Sequence, residues 1–164
     1  MKGLRKDIAT IVSAALFVFV AAHYAAAAEP ADRFKVPTYL KVSGSESFIE
    51  EVAFAIDGDT IRFEDGTRIR LEGVAAPENN EPGGTEATQF MKRLVNGNSL
   101  RCDLNGQRSY NRLVGICYLG GDDIGAAIIA AGLARDCPRF SGGRYASFET
   151  PAARQLVLPR YCRP

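Results

Sequence analysis

Two carboxylates stand two residues apart in Asp57-Gly58-Asp59-Thr60, two guanidinium groups stand two apart in Arg68-Ile69-Arg70, and Glu78 follows Ala75-Ala76-Pro77. Further along, Arg108 and Arg112 bracket Tyr110, and Arg108 is a candidate contact to an anionic substrate. Carboxylates and guanidinium forks together suit phosphodiester cleavage. Forks absorb the charge that builds on a five-coordinate phosphorus, a divalent ion bridges an oxygen, and a carboxylate orients or deprotonates water. The one histidine, His23, lies in an apolar N-terminal run, so a processed chain would carry no imidazole. That excludes Ser-His-Asp and Cys-His catalysis, histidine-ligated zinc and any phosphodiesterase with a histidine base. Each cluster also has a plain reading, since Asp-Gly pairs are ordinary hairpin turns and arginines on an exposed strand face are usually solvated.

The elements that must position these groups follow from periodicity. Short apolar runs over residues 52–56, 60–63 and 67–71, broken by Asp-Gly pairs, predict a three-stranded meander. Alternation along the third strand puts Arg68 and Arg70 on one face. Pro77 and Pro82-Gly83-Gly84 stop the strand pattern, and Ala87, Phe90, Met91, Leu94 and Val95 then recur at helical spacing, which predicts an amphipathic helix over 86–95 ending at Asn96-Gly97. Strands over 99–104 and 112–119, joined by a polar segment 105–111, and a largely buried helix over 124–134 complete the pattern. Three strands, a helix, two strands and a helix is the order of a five-stranded β-barrel with helices, an α+β fold of the OB type that often carries nucleic-acid sites.

With 164 residues, 46% of them hydrophobic, the chain has material for one compact domain and is neither collagen, coiled coil nor wholly disordered. Its 20 basic and 19 acidic residues create no global basic field. The charge is uneven, however: residues 29–98 hold 8 basic and 13 acidic groups, and residues 99–164 hold 9 and 5, so contact with an anion leans on the C-terminal half. Arg135, Arg139 and Arg144, with Phe140 and Tyr145, are candidates for a rim that tracks phosphates, against the plain reading of surface arginines around a pinned loop.

Lys2, Arg5 and Lys6, the apolar run 8–20 and Ala26-Ala27-Ala28 read as a signal peptide over 1–28, which predicts an exported protein, periplasmic or secreted. An uncleaved anchor is the competing reading, because residues 8–28 are just long enough to span a bilayer; if the segment is cleaved, no stable membrane insertion is expected. Residues 29–47, with Pro30, Pro37 and Ser43-Gly44-Ser45, read as a flexible tether, 48–136 as the folded domain and 137–164 as a C-terminal extension. In an oxidising compartment four cysteines read as disulfides, with three possible pairings. Cys102 and Cys117 flank the predicted hairpin and Cys137 and Cys162 flank the C-terminal segment, so the expected bonds are 102–117 and 137–162.

Ala55-Ile56-Asp57-Gly58-Asp59-Thr60, then Arg68-Ile69-Arg70-Leu71-Glu72-Gly73-Val74-Ala75-Ala76-Pro77-Glu78, then Tyr110-Asn111-Arg112 with residues 113–118 after it, closely resemble the staphylococcal nuclease (thermonuclease) family. The likeness runs from about Glu51 to Asp136. It implies a five-stranded OB barrel with helices and calcium-dependent hydrolysis of DNA and RNA. At matching positions it implies that Asp59 and the backbone carbonyl of Ala76 are calcium ligands, that Arg70 and Arg112 bind phosphate and stabilise the transition state, that Glu78 positions or deprotonates the attacking water, and that Tyr110 touches the nucleotide.

One position departs from the family pattern. Where the family usually has Asp-Thr-Pro-Glu or Asp-Ala-Pro-Glu, this chain has Ala75-Ala76-Pro77-Glu78, so the second carboxylate ligand is missing and the calcium site is weakened. Asn111 also stands where the family has glycine, a milder change because Asn tolerates positive φ. The leading reading is an exported, monomeric nuclease acting on single-stranded or loosened DNA and RNA. The alternative is a non-catalytic OB module that binds nucleic acid or a protein partner, and a third is an envelope-anchored structural protein.

Overall fold

The computed structural model describes residues 40–41 and 47–164. The signal-peptide reading of 1–28 lies outside the described residues, as does the tether reading except at Leu40, Lys41 and Ser47. Those three residues pair: β1 (Leu40–Lys41) runs antiparallel to the start of β2 (Ser47–Ala55), Leu40 opposite Phe48 and Lys41 opposite Ser47.

The expected meander is present as β2, β3 (Thr60–Phe63) and β4 (Arg68–Leu71). Asp65 closes the second turn by accepting from the Thr67 amide at 2.7 Å and the Thr67 hydroxyl at 2.8 Å, the local bonding that makes Asp-Gly a turn former. After the two-residue β5 (Val74–Ala75) come α1 (Gly84–Val95), β6 (Asn98–Ser109), β7 (Arg112–Leu119), β8 (Asp122–Asp123) and α2 (Ile124–Ala130). The sheet runs β2-β3-β4-β7-β6, and β6 returns to β2, so the five strands close a barrel. All neighbours are antiparallel except β4 and β7. Its interior is filled by Ile49, Ala53, Ile61, Phe63, Ile69, Leu71, Leu100 and Cys102, with Ala87, Met91 and Val95 of α1 and Ile124, Ile128 and Ile129 of α2 packed against them.

Three element lengths differ from expectation, the first being β2, which starts at Ser47 rather than at 52 because residues 47–53 pair with β6 across the seam of the barrel. β6 continues through the polar stretch to Ser109, pairing with β7 again after a bulge between Leu104 and Arg108; its side chains there are mostly exposed, so no apolar alternation marks it. α2 stops at Ala130 rather than 134 because Gly132, at φ 77°, takes the left-handed conformation: its amide donates to Ile129 and the Leu133 amide to Ile128, the bond pattern of a Schellman cap.

Beyond α2, β9 (Arg135–Asp136) pairs with β5, and α3 (Pro138–Ser141) and three 3-10 turns (Ala146–Phe148, Ala153–Gln155, Arg160–Cys162) form the extension. Arg135 fastens it, with Nε 2.7 Å from the Glu149 carboxylate and Nη1 donating to the Leu156 carbonyl at 2.9 Å. The disulfides are Cys102–Cys117, between residues directly opposite in β6 and β7, and Cys137–Cys162, which closes the extension onto itself. Both pairings are those expected from the sequence.

Candidate active site

Register assembles the site. Thr60 of β3 lies opposite Arg70 of β4, Arg70 lies beside Val114 of β7, and Arg112 stands two residues before Val114. With side chains alternating across a sheet, this puts Thr60, Arg70 and Arg112 on the same outer face of the barrel, while Ile61, Phe63 and Ile69 fill its core. The turn between β2 and β3 then delivers Asp59. Its amide donates to the Asp57 carboxylate at 3.0 Å, and its own carboxylate turns inward, 7% exposed.

The side chains form one continuous chain of contacts. Arg112 Nη1 donates to the Thr60 hydroxyl at 3.0 Å, the hydroxyl donates to Asp59 Oδ1 at 3.2 Å, and Asp59 Oδ2 meets Arg70 Nη1 at 2.7 Å and accepts the Ala76 amide at 3.2 Å. Arg70 Nη1 also donates to the Val74 carbonyl at 2.9 Å, while its Nε and Nη2 bond to no described residue. Arg112 is braced by the hairpin itself, Nη2 donating to Ser109 Oγ at 3.1 Å. Thr60 is the member that reading the sequence gave no role. Its signal was a hydroxyl directly after an inward-turned carboxylate, but only the strand register shows that it reaches Arg112.

Burial pushes the Asp59 carboxyl up to about 6, against the pull of the Arg70 guanidinium, and the charges of Asp57 and Glu78 add to the push. Glu78 is exposed and bonds through its backbone, its amide donating to Glu81 Oε2 at 2.9 Å. The structure therefore brings Asp59, Arg70 and Arg112 together and sets Glu78 within electrostatic reach of Asp59. Arg108 is exposed and takes no part in the network, although it lies opposite Leu113 on the same hairpin. Tyr110 stands at the hairpin tip, 93% exposed, with φ 56°. The positive φ in this loop falls on Tyr110 and not on Asn111, so the glycine-to-asparagine change needs no left-handed backbone at 111.

The phosphate-tracking rim does not form as expected. Arg135 is half-buried against Glu149, Arg144 pairs with Asp123 at 3.3 Å and donates to the Tyr118 hydroxyl at 3.3 Å, and Tyr145 is buried with its hydroxyl donating to Asp123 at 3.1 Å. Burial first, and then the Asp123 carboxylate, hold the Tyr145 phenol well above its usual range. Arg139, Phe140 and Arg144 remain exposed, but the Arg144 guanidinium is taken by Asp123 and Tyr118.

A hard divalent cation asks for about six to eight oxygens. Among the described residues no three His, Cys, Asp or Glu side chains gather into a metal-holding group. Asp59 is the buried carboxylate at the site, and its Oδ2 faces a guanidinium and an amide. Ala75, 4% exposed, packs against Cys137, Cys162 and Leu158 and brings no oxygen from its side chain. This donor set does not fit a resident calcium held by the protein alone.

Comparison with known proteins agrees with the geometry. The chain is 33% identical over 112 residues to the succinoglycan biosynthesis protein ExoI of Rhizobium meliloti, covering 61% of this chain and 58% of that one. It is 33% identical over 87 residues to an uncharacterized endonuclease of Escherichia coli O157:H7, covering 51% and 57%. It is 41% identical over 54 residues to the probable staphylococcal-like nuclease CAN1 of Oryza sativa subsp. japonica, covering 33% and 16%. The matches thus span little more than half of the two bacterial proteins and a small part of the plant one. Residues 68–150, which hold Arg70, Glu78 and Arg112, match the family described as Staphylococcal nuclease homologue, and with the closed five-stranded barrel this places the chain in the staphylococcal nuclease family.

Proposed function

We propose that this chain hydrolyses phosphodiester bonds in single-stranded or loosened DNA and RNA. The observation that carries the reading is the Arg112–Thr60–Asp59–Arg70 chain of contacts, which holds two guanidinium groups on one barrel face. The free Nε and Nη2 of Arg70 and the braced fork of Arg112 bind non-bridging phosphate oxygens, and their hold tightens as charge accumulates on those oxygens in the five-coordinate transition state. Glu78, in solvent, orients a water molecule and takes its proton as the water oxygen bonds to phosphorus and the opposite P–O bond breaks. Tyr110 and Arg108 lie at and near the hairpin tip, where an extended strand would pass. Two of the similar proteins carry nuclease names, which supports the same chemistry.

Calcium, the cation that the resemblance implies, is proposed only as a weakly held ion. Asp59 and the Ala76 carbonyl would leave most of its oxygens to water and substrate phosphate, so calcium alone should bind at about millimolar concentration or weaker. Export and a monomeric state belong to the same proposal, and the two disulfides support an oxidising compartment. The second reading, a binding module without turnover, is favoured by Ala75, because the missing ligand position is filled by packing. Incubating the oxidised protein with single-stranded DNA and with RNA, in calcium and in chelator, tests the proposal. Cleavage lost on Arg112→Ala supports it, and binding without cleavage under every condition supports the module.

A further inference from the structure

Residues 137–164 contain five arginines and a single acid, Glu149, which is already taken by Arg135 at 2.7 Å and Arg154 at 3.8 Å. Arg139, Arg160 and Arg163 are exposed and form no ion pair with a described residue. Two large rings stand exposed among them. Phe140 of α3 and Tyr161 of the last 3-10 turn have centroids 6.5 Å apart, and the Arg139 guanidinium lies 5.9 Å from the centre of the Phe140 ring.

The rings are rigidly carried. Each neighbours an end of the Cys137–Cys162 bond, and the Cys137 amide donates to the Gly73 carbonyl at 2.9 Å while its carbonyl accepts the Phe140 amide at 2.9 Å. The mount is also continuous with the catalytic set through β5. The Val74 carbonyl accepts from Arg70, the Ala76 amide donates to Asp59, and Ala75 between them packs against both cysteines. Exposed, fixed aromatic faces interleaved with unpaired cations match a ligand that has flat π faces and a regular row of negative charges. A neutral chain would leave the arginines unused, and a featureless polyanion would leave the rings unused.

We propose that Phe140, Tyr161, Arg139, Arg160 and Arg163 form a second binding site for single-stranded nucleic acid, stacking bases and pairing phosphates beyond the nucleotide being cleaved. This rests on the nuclease reading and extends it from one scissile phosphate to a longer strand. It also gives Ala75 a positive role, since a small side chain there lets the disulfide seat against the strand that leads out of the catalytic set.

The test is affinity for a labelled single strand of about twenty nucleotides, comfortably more than one binding module covers. It is measured by fluorescence anisotropy on the oxidised full chain, on Phe140→Ala/Tyr161→Ala and on Arg160→Ala/Arg163→Ala, with circular dichroism confirming the fold of each. Loss of the two rings should weaken binding about tenfold or more, and loss of the two arginines should weaken it and flatten its salt dependence. Hydrolysis of a dinucleotide, too short to reach the platform, should be unchanged in both variants. Affinities within twofold of the parent for both variants would overturn the proposal, as would an abasic strand of equal length bound as tightly as the base-bearing one. If the parent hydrolyses neither the long strand nor the dinucleotide, the nuclease reading fails, and the affinity comparison still decides the platform by itself.

Discussion

Arg112 and Thr60 touch the same network in different ways, and substitution should separate them. Arg112→Ala removes a charge aimed at the phosphate and should lower turnover by about a hundredfold or more, while Thr60→Val leaves the charge but cuts its link to Asp59 at 3.0 and 3.2 Å. The Thr60 variant should lose less turnover, with the folded state of both checked by thermal melting. Asp59 carries a second consequence in its titration. Its folded value of about 6 lies above its ordinary 3.8 because of burial, so folding favours the protonated form. That contribution is complete below about pH 4 and is lost as the pH rises through about 6, a swing of about 3 kcal/mol. Denaturant unfolding at pH 4 and pH 7.5 should show the parent losing more stability across this window than Asp59→Asn, by roughly that amount; equal losses would mean that Asp59 is already balanced by Arg70.

β5 is only two residues long, yet it joins the site to the extension, so a substitution there tests both. Ala75→Asp restores the carboxylate of the family pattern but sets it beside Cys137, Cys162 and Leu158, where it is almost without solvent. It should cost about 3 kcal/mol or more as an unpaired buried charge and should not tighten calcium binding, measured by calorimetry. Tighter binding at unchanged stability would show that the pocket can still open toward Asp59. The elements that periodicity marks were legible in the sequence: β3, β4, α1 and β7 lie within a residue or two of their expected bounds. β5, β8 and β9 were not, because two residues carry no period, and half of β6 is polar on exposed positions. Arg70, Arg112 and Asp59 were legible as types in a motif, whereas the Thr60 bridge, the consumption of Arg135 and the seat beneath Ala75 depend on pairings between distant segments. Tyr161 had no signal at all, since its partner Phe140 lies far upstream, in a segment joined to its own by the Cys137–Cys162 bond.

At the scale of the molecule the charge division is a division of labour between the barrel and its C-terminal extension. The extension gathers cations on a chain whose overall balance is close to neutral, so strand binding should respond to salt even though the protein as a whole has little field with which to attract it. Barrel closure has a different kind of consequence. The seam pairs Ser47 with Leu104 and Ala53 with Asn98, residues far apart in the chain, so the last pairing to form must close a long loop and folding should be slow for a domain of this size. The Cys102–Cys117 bond already holds β6 in register with β7 in the unfolded chain, leaving β2 a preformed edge to find. In stopped-flow refolding, Cys102→Ala/Cys117→Ala should therefore fold about tenfold more slowly than the oxidised parent, and most of its lost stability should appear in the folding arm of the chevron rather than the unfolding arm.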